Sequence, residues 1–176
     1  IYPNTMTHGL RRPAQFEDLL LFRLSRILST GGAPVIRLCE GHYGITRREW
    51  RVIASLQSAE RMLSSELAAH LQLDRARTSR AITSLVAKGL LKRQGVAGDL
   101  RKAAVEMTDK GRALYASLFP KVQEINAGLL SGLTDAELGQ LDTLLTTLQT
   151  QTQRLGTLEG LPKADRRKGR RTLPLP

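Results

Sequence analysis

The sequence predicts a mainly α protein with a small β wing, a winged helix-turn-helix flanked by N- and C-terminal helices. Three observations carry that prediction. Residues 64–111 run helix, tight turn, helix and two-stranded hairpin, in that order. The second of these helices, opened by Asp74, has no Asp or Glu between Arg75 and Lys88. The formal charge of +11 on 176 residues is also unevenly spread. Residues 61–111 hold ten Lys and Arg against five Asp and Glu, residues 161–176 hold six against one, and the remainder is close to neutral. Two basic regions on a nearly neutral body point to a polyanion partner, because neutralising phosphates releases condensed counterions.

Composition removes several classes. A single cysteine, Cys39, leaves no intramolecular disulfide framework and suits a reducing compartment, so a cytoplasmic location is expected. No apolar run approaches the roughly 18 residues of a membrane span. Apolar residues make up 41% of the chain but aromatics only 4%, so aliphatic side chains must build the core. His8, His42 and His70 are scattered, without metal-ligand spacing, phosphate loop or nucleophile elbow. The expectation is therefore a protein that is not an enzyme, with no catalytic residue, metal or cofactor.

Along the chain, residues 1–12 read as a short irregular arm. Phe16, Leu19, Leu20, Leu24, Ile27 and Leu28 recur at helical spacing, with Arg23 and Arg26 beside the stripe. Gly31-Gly32 is expected to stop that helix and Pro34 to start a short one over Ala33–Glu40, before a turn at Gly41-His42-Tyr43-Gly44. Thr46 and Glu49 form a capping box for a helix that buries Trp50, Ile53, Ala54 and Leu56 and leaves Arg47, Arg48 and Arg51 wet. Ser64 or Ser65 is expected to cap the next helix, with Leu67, Ala68 and Leu71 inward.

The helix after Asp74 can be projected at about 100° per residue. With Ile82 at zero, Leu85, Val86 and Thr78 fall on one side and Arg77, Arg80, Ser84 and Lys88 on the other. An ordinary solvated helix mixes acids into its wet face; this one has none. Gly89 ends the helix, Leu90–Gln94 and Lys102–Met107 have strand character, and Gly95 and Gly98 supply the turn. Thr108 starts a helix that Pro120 kinks or interrupts before Leu130. Thr134 and Glu137 then cap a last helix with Leu138, Leu141, Leu145 and Leu148 in one stripe and Leu144 beside it, which reads as a dimer interface. From Gly160 the chain lacks periodicity and is expected to be a disordered basic tail.

Over roughly residues 14–155 the ordered set of motifs resembles the MarR family of bacterial transcriptional regulators. The pieces are Leu63-Ser64-Ser65-Glu66-Leu67-Ala68, Asp74 through Arg80, Leu85-Val86-Ala87-Lys88-Gly89-Leu90-Leu91, Asp99-Leu100-Arg101-Lys102 and Val105 through Gly111. Thr46-Arg47-Arg48-Glu49-Trp50-Arg51-Val52 also resembles the family's second core helix. The usual early hydrophobic residue of the recognition helix is here Thr78.

The resemblance implies a homodimer on a pseudo-palindromic double-stranded DNA operator, its two recognition helices in successive major grooves. Arg77, Arg80, Thr78 and Ser84 are expected at or near bases, and Arg75 and Lys88 at phosphates. Arg101, oriented by Asp99, would enter the minor groove, with Lys102, Ser64 and Ser65 completing the DNA-facing set. The implied organisation is an arm (1–12), N-terminal helices for dimerisation and an effector pocket (13–45), the winged domain (46–111), C-terminal dimerisation helices (112–158) and a basic tail (159–176).

The resemblance further implies a repressor, released from DNA by a small aromatic or phenolic acid, in the manner of regulators of aromatic compound catabolism. Arg23, Arg26, Arg37, His42, Tyr43 and Trp50 are the effector candidates, since a carboxylate needs cations or hydrogen-bond donors. Two alternatives stay open: a redox-sensing regulator acting through Cys39, and a non-specific architectural DNA binder using the tail. The Glu40 carboxylate beside Cys39 disfavours a thiolate.

Overall fold

A computed structural model describes residues 7–96 and 99–155. Thr7–Arg11 (α1) is a short helix where an irregular arm was expected, and Phe16–Asp18 is one 3-10 turn. The main N-terminal helix, α2, runs unbroken from Leu20 to His42. This corrects the expected break at Gly31-Gly32 and Pro34. Neither glycine ends the helix, and neither is demanded by a close approach. A Cβ on Gly31 would come within 3.4 Å of the Leu129 side chain, and one on Gly32 within 3.4 Å of the Arg47 guanidinium. Pro34 removes one backbone donor inside the helix, and the helix continues through it.

Helix α3 (Arg47–Gln57) starts as its sequence demands. The Glu49 backbone N–H donates to Thr46 Oγ1 at 3.2 Å, and the Thr46 N–H donates to Glu49 Oε2 at 2.6 Å. Its inward face is Trp50, Val52, Ile53 and Leu56, all buried. Met62–Leu63 then forms a two-residue strand, β1, too short to show any period in the sequence. Helix α4 (Ser64–His70) is capped not by Ser64 or Ser65 but through Glu66, whose Oε2 accepts the Leu63 N–H at 2.8 Å. The carboxylate reaches back one turn to the N-cap N–H, the half of a capping box that a Glu at the third position supplies.

After a turn in which Gln72 takes a left-handed φ of 50°, helix α5 covers Arg75–Ala87. Asp74 caps it by accepting the Arg77 N–H at 3.1 Å. Gly89, at φ +69°, ends it in the left-handed conformation that costs a glycine nothing. Strands β2 (Leu91–Val96) and β3 (Asp99–Met107) form the wing, and β3 lies between β1 and β2 in an antiparallel sheet. Leu91 pairs with Met107 and Val96 with Asp99, with a register irregularity between Gly95 and Val96. The strands thus run further toward the tip than the expected 90–94 and 102–107.

Helix α6 (Asp109–Leu130) passes straight through Pro120. Its start is pinned to the end of α5: a Cβ on Gly111 would sit on the Leu90 carbonyl oxygen, so only glycine lets helix and strand approach this closely. The core joining α3 to α6 is aliphatic, with Val52, Ile53, Leu56, Leu67, Ile82, Leu85, Leu91, Val105 and Leu118 all buried. An aromatic stack flanks it, Trp50 on Tyr115 at 5.5 Å and Tyr115 on the exposed Phe119 at 5.1 Å.

By contrast, Phe16, Leu21, Ile27 and Leu28 are more than half exposed. The residues from Leu130 onward form a separate unit. Its helix α7 (Asp135–Leu155) has the expected Thr134–Glu137 box, with Glu137 Oε2 accepting the Thr134 N–H at 2.8 Å. No helix among the described residues is long and apolar enough to cross a membrane. The basic tail from residue 159 falls outside the described residues.

Candidate nucleic-acid interface

The buried residues of α5 are Thr78, Ala81, Ile82 and Leu85. At about 100° per residue their mean direction lies roughly 50° from Ile82, toward Ala81. The outward direction turns by the same amount, and it falls on Ala76, Arg80, Thr83 and Ala87, all exposed. Arg75, Arg77 and Ser79 are exposed at its borders. The outer surface is therefore Arg80 among small side chains, edged by Arg75 and Arg77. Small residues let a helix backbone approach a groove closely, and guanidiniums pair with base edges or phosphates from its flanks.

Three expected DNA-facing residues point elsewhere. Thr78 is 1% exposed, and its hydroxyl donates back to the Asp74 carbonyl at 3.1 Å. It fills a core position as a satisfied polar group and is not available to a base. Lys88 turns inward, its Nζ donating to Glu49 Oε1 and Oε2 at 3.0 and 2.9 Å and to the Gly44 carbonyl at 2.9 Å. Ser84 is half-buried and hydrogen-bonds the same carboxylate. Burial alone would raise the Glu49 carboxyl, but the hydrogen bonds from Ser84, Thr46 and Lys88 outweigh it and hold the group below its ordinary range.

Three exposed groups were missed, Arg93, Thr83 and Ser79. Arg93 on β2 donates to Thr83 Oγ1 at 2.7 Å, bringing a fourth guanidinium to the outer edge of α5. Ser79 lies one turn from Thr83 on the same side. An angular count centred on the whole buried set, rather than on Ile82, would have found Thr83 and excluded Lys88. Ser64 is half-buried and Ser65 exposed at the start of α4. At the wing, Asp99, Arg101 and Lys102 lie on β3, but their side chains fall outside the described residues.

The effector candidates separate into two places. Arg23 and Arg26 line a concavity of about 470 Å³ with Ile27, Thr30, Gly31 and Leu129. His42 lies sixteen residues beyond Arg26 on α2, about 24 Å along the helix. There the His42 ring meets Tyr43 edge-on at 5.0 Å, and the Tyr43 hydroxyl donates to the Ser117 carbonyl of α6 at 3.0 Å. Arg37 is exposed between the two places, and Trp50 is 7% exposed within its aromatic stack. The six residues therefore do not form one pocket within the chain.

Cys39 is fully buried. Burial, and then the Glu40 carboxylate, push its thiol above its ordinary value, against a smaller opposing pull from Arg47. It lacks the exposed, electropositive setting of a redox-active thiolate. Among the described residues, no group of three or more His, Cys, Asp or Glu is arranged to hold a metal ion.

A winged helix with an acid-free, arginine-edged recognition helix defines the class: a DNA-binding transcriptional regulator. Residues 43–102 match the family model described as the MarR family, so the family resemblance of the sequence stands. The fold recurs in solved MarR structures. A MarR/EmrR family regulator from Acinetobacter sp. ADP1 is 26% identical, with a TM-score of 0.69 over 75% of this chain and 93% of its own. Wild-type MarR from E. coli, in its apo form, is 25% identical, with a TM-score of 0.60 over 74% of this chain and 96% of its own. Bordetella bronchiseptica BpsR, whose DNA binding is regulated by 6-hydroxynicotinic acid, shares the fold at 22% identity and a TM-score of 0.62, over 72% of this chain and 98% of its own.

Proposed function

We propose that the protein is a homodimeric repressor that binds a pseudo-palindromic operator through α5 and the wing, and leaves it when a small aromatic acid binds. The observation that carries the DNA half is the outer face of α5: Ala76, Thr83 and Ala87 flanked by Arg75, Arg77, Arg80 and Arg93, with no acid on the helix. Arg77 and Arg80 take the base-edge roles, Arg75 and Arg93 the phosphates, and Arg101 of the wing the adjacent minor groove. The exposed Leu21, Leu24, Ile27 and Leu28 on α2 supply an apolar surface for the second subunit.

For the effector, Arg23 and Arg26 give a carboxylate two cations, while Ile27 and Leu129 give a ring its apolar contact. The aromatic acid that regulates BpsR is a molecule of that kind. The test has two stages. The protein selects duplexes from a random 30-base-pair pool, and 6-hydroxynicotinate, salicylate and aliphatic acids are then titrated into the complex. Enrichment of one inverted repeat and its release by aromatic acids alone support the proposal. Enrichment without release by any acid removes the effector half. No enrichment removes the operator half. Arg101→Ala is expected to weaken binding to the selected duplex by more than about tenfold at fixed salt, the worth of about one good groove contact.

A further inference from the structure

We infer that Glu49 and Lys88 are a positioning pair for DNA reading: they fix how α5 sits, and neither touches DNA. The inference rests on the proposed DNA-binding role of α5. Lys88 is the C-cap of that helix, and all three of its ammonium donors are spent inside the protein, two on Glu49 and one on the Gly44 carbonyl. The Glu49 side chain is 3% exposed and also accepts from Thr46 and Ser84. One carboxylate therefore holds the start of α3 and two successive turns of α5.

The other side of the same helix end is held by α6. Lys110 Nζ donates to the Lys88 carbonyl at 2.9 Å, and Thr108 Oγ1 donates to the Gly89 carbonyl at 2.7 Å. These bonds satisfy carbonyls that a helix C-terminus leaves open. The far end of α5 carries Arg75, Arg77 and Arg80 and starts at the Asp74 cap and the Thr78 back-bond. A helix of 13 residues is about 20 Å long. A small tilt at the Lys88 end is thus carried to the arginines as a larger displacement, and base contacts tolerate little misplacement.

The alternative role for Lys88, a phosphate contact, makes opposite predictions. Glu49→Gln, Lys88→Gln and their combination are compared on a duplex selected by the wild type and on a random-sequence duplex, across a salt series. Affinities are counted per folded protein by circular dichroism. A positioning pair predicts that each single change weakens the selected duplex by about tenfold, roughly one well-made base contact. Random-duplex affinity and the salt slope stay as in wild type, and the double change is no worse than either single one. A phosphate contact predicts that Lys88→Gln weakens both duplexes and lowers the salt slope by about 0.9, while Glu49→Gln weakens neither.

Lys88→Arg covers the case in which a neutral variant fails to fold. Arginine retains a phosphate contact, but its planar fork does not reproduce the three bonds of the ammonium, so positioning predicts loss on the selected duplex only. Wild-type affinity in all variants, or the phosphate pattern, overturns the inference while leaving the DNA-binding reading intact. Failure of the wild type to select any sequence overturns both.

Discussion

The winged region and the N-terminal half of α2 are built from the same aliphatic residue types, yet they dispose of them in opposite ways. Between Arg47 and Met107 the large apolar residues are enclosed: Val52, Ile53, Leu67, Ile82, Leu85 and Val105 are at 0% exposure. Between Phe16 and Leu28 they stand in water, with Leu21 at 76% and Ile27 and Leu28 at 56% and 57%. Leu21, Leu24 and Leu28 fall at helical spacing, so the exposure lies along one face. A contiguous apolar face of this kind marks an interaction surface, whereas scattered exposed leucines would not. The contrast separates a region that completes its own core from the face proposed to take the second subunit.

The largest expected effect comes from breaking that second region. Leu28→Asp places a charge in the face proposed for the second subunit and is expected to convert dimer to monomer by light scattering. Loss of the paired half-sites should weaken operator binding by at least about a hundredfold, since two linked contacts act as more than their sum. A dimer that survives Leu28→Asp would move the interface elsewhere.

Next is a matched pair of truncations. Leu85→Ala removes a fully enclosed side chain and is expected to cost about 2–5 kcal/mol in denaturant unfolding. Leu21→Ala, under conditions where the protein is monomeric, should change stability by about 0.5 kcal/mol or less. Equal costs would erase the distinction between the two regions.

A smaller effect concerns acid. Glu49 has its carboxyl held below the ordinary 4.5, so the folded state favours its charged form. Its contribution is fully present above about that value and is lost as pH falls through the folded-state value. Glu49→Gln should therefore make the acid limb of the stability profile shallower while leaving Leu85→Ala variants with the steeper, wild-type limb. The smallest effect is expected at Gln72, whose φ of 50° is uncommon outside glycine. Gln72→Gly should be neutral or stabilising by at most about 1 kcal/mol in thermal unfolding, as strain relief competes with the added entropy of the unfolded chain.

Most of the fold was legible because local chemistry and long-range packing agree there. Thr46 with Glu49, Thr134 with Glu137 and Asp74 each announce a helix start, and each makes the bond its spacing predicts. The order of helix, turn, helix and hairpin follows from those caps and from Gly89. What misled was chemistry with two possible uses. Gly31, Gly32 and Pro34 carry the composition of a helix break, but α2 continues through all three. β1 gains its identity only by pairing with β3, so two residues could not declare it beforehand.

The candidate site was legible as a face but not residue by residue. Arg75, Arg77 and Arg80 stand exposed as a cation-rich, acid-free helix suggests. Lys88 has the same charge and a similar helical position, but its direction is decided by Glu49, 39 residues earlier. The effector candidates were grouped by chemical type, and α2 spaces them along its length instead.

The most direct test of the account is the equilibrium affinity of Arg80→Ala for the duplex that the wild type selects, measured by fluorescence anisotropy at one fixed salt concentration. Arg80 lies near the middle of the exposed strip of α5 and contributes nothing to the core. A DNA-reading α5 predicts at least about a tenfold loss on the selected duplex, with wild-type thermal stability. Undiminished affinity would contradict the claim that this face of α5 reads DNA.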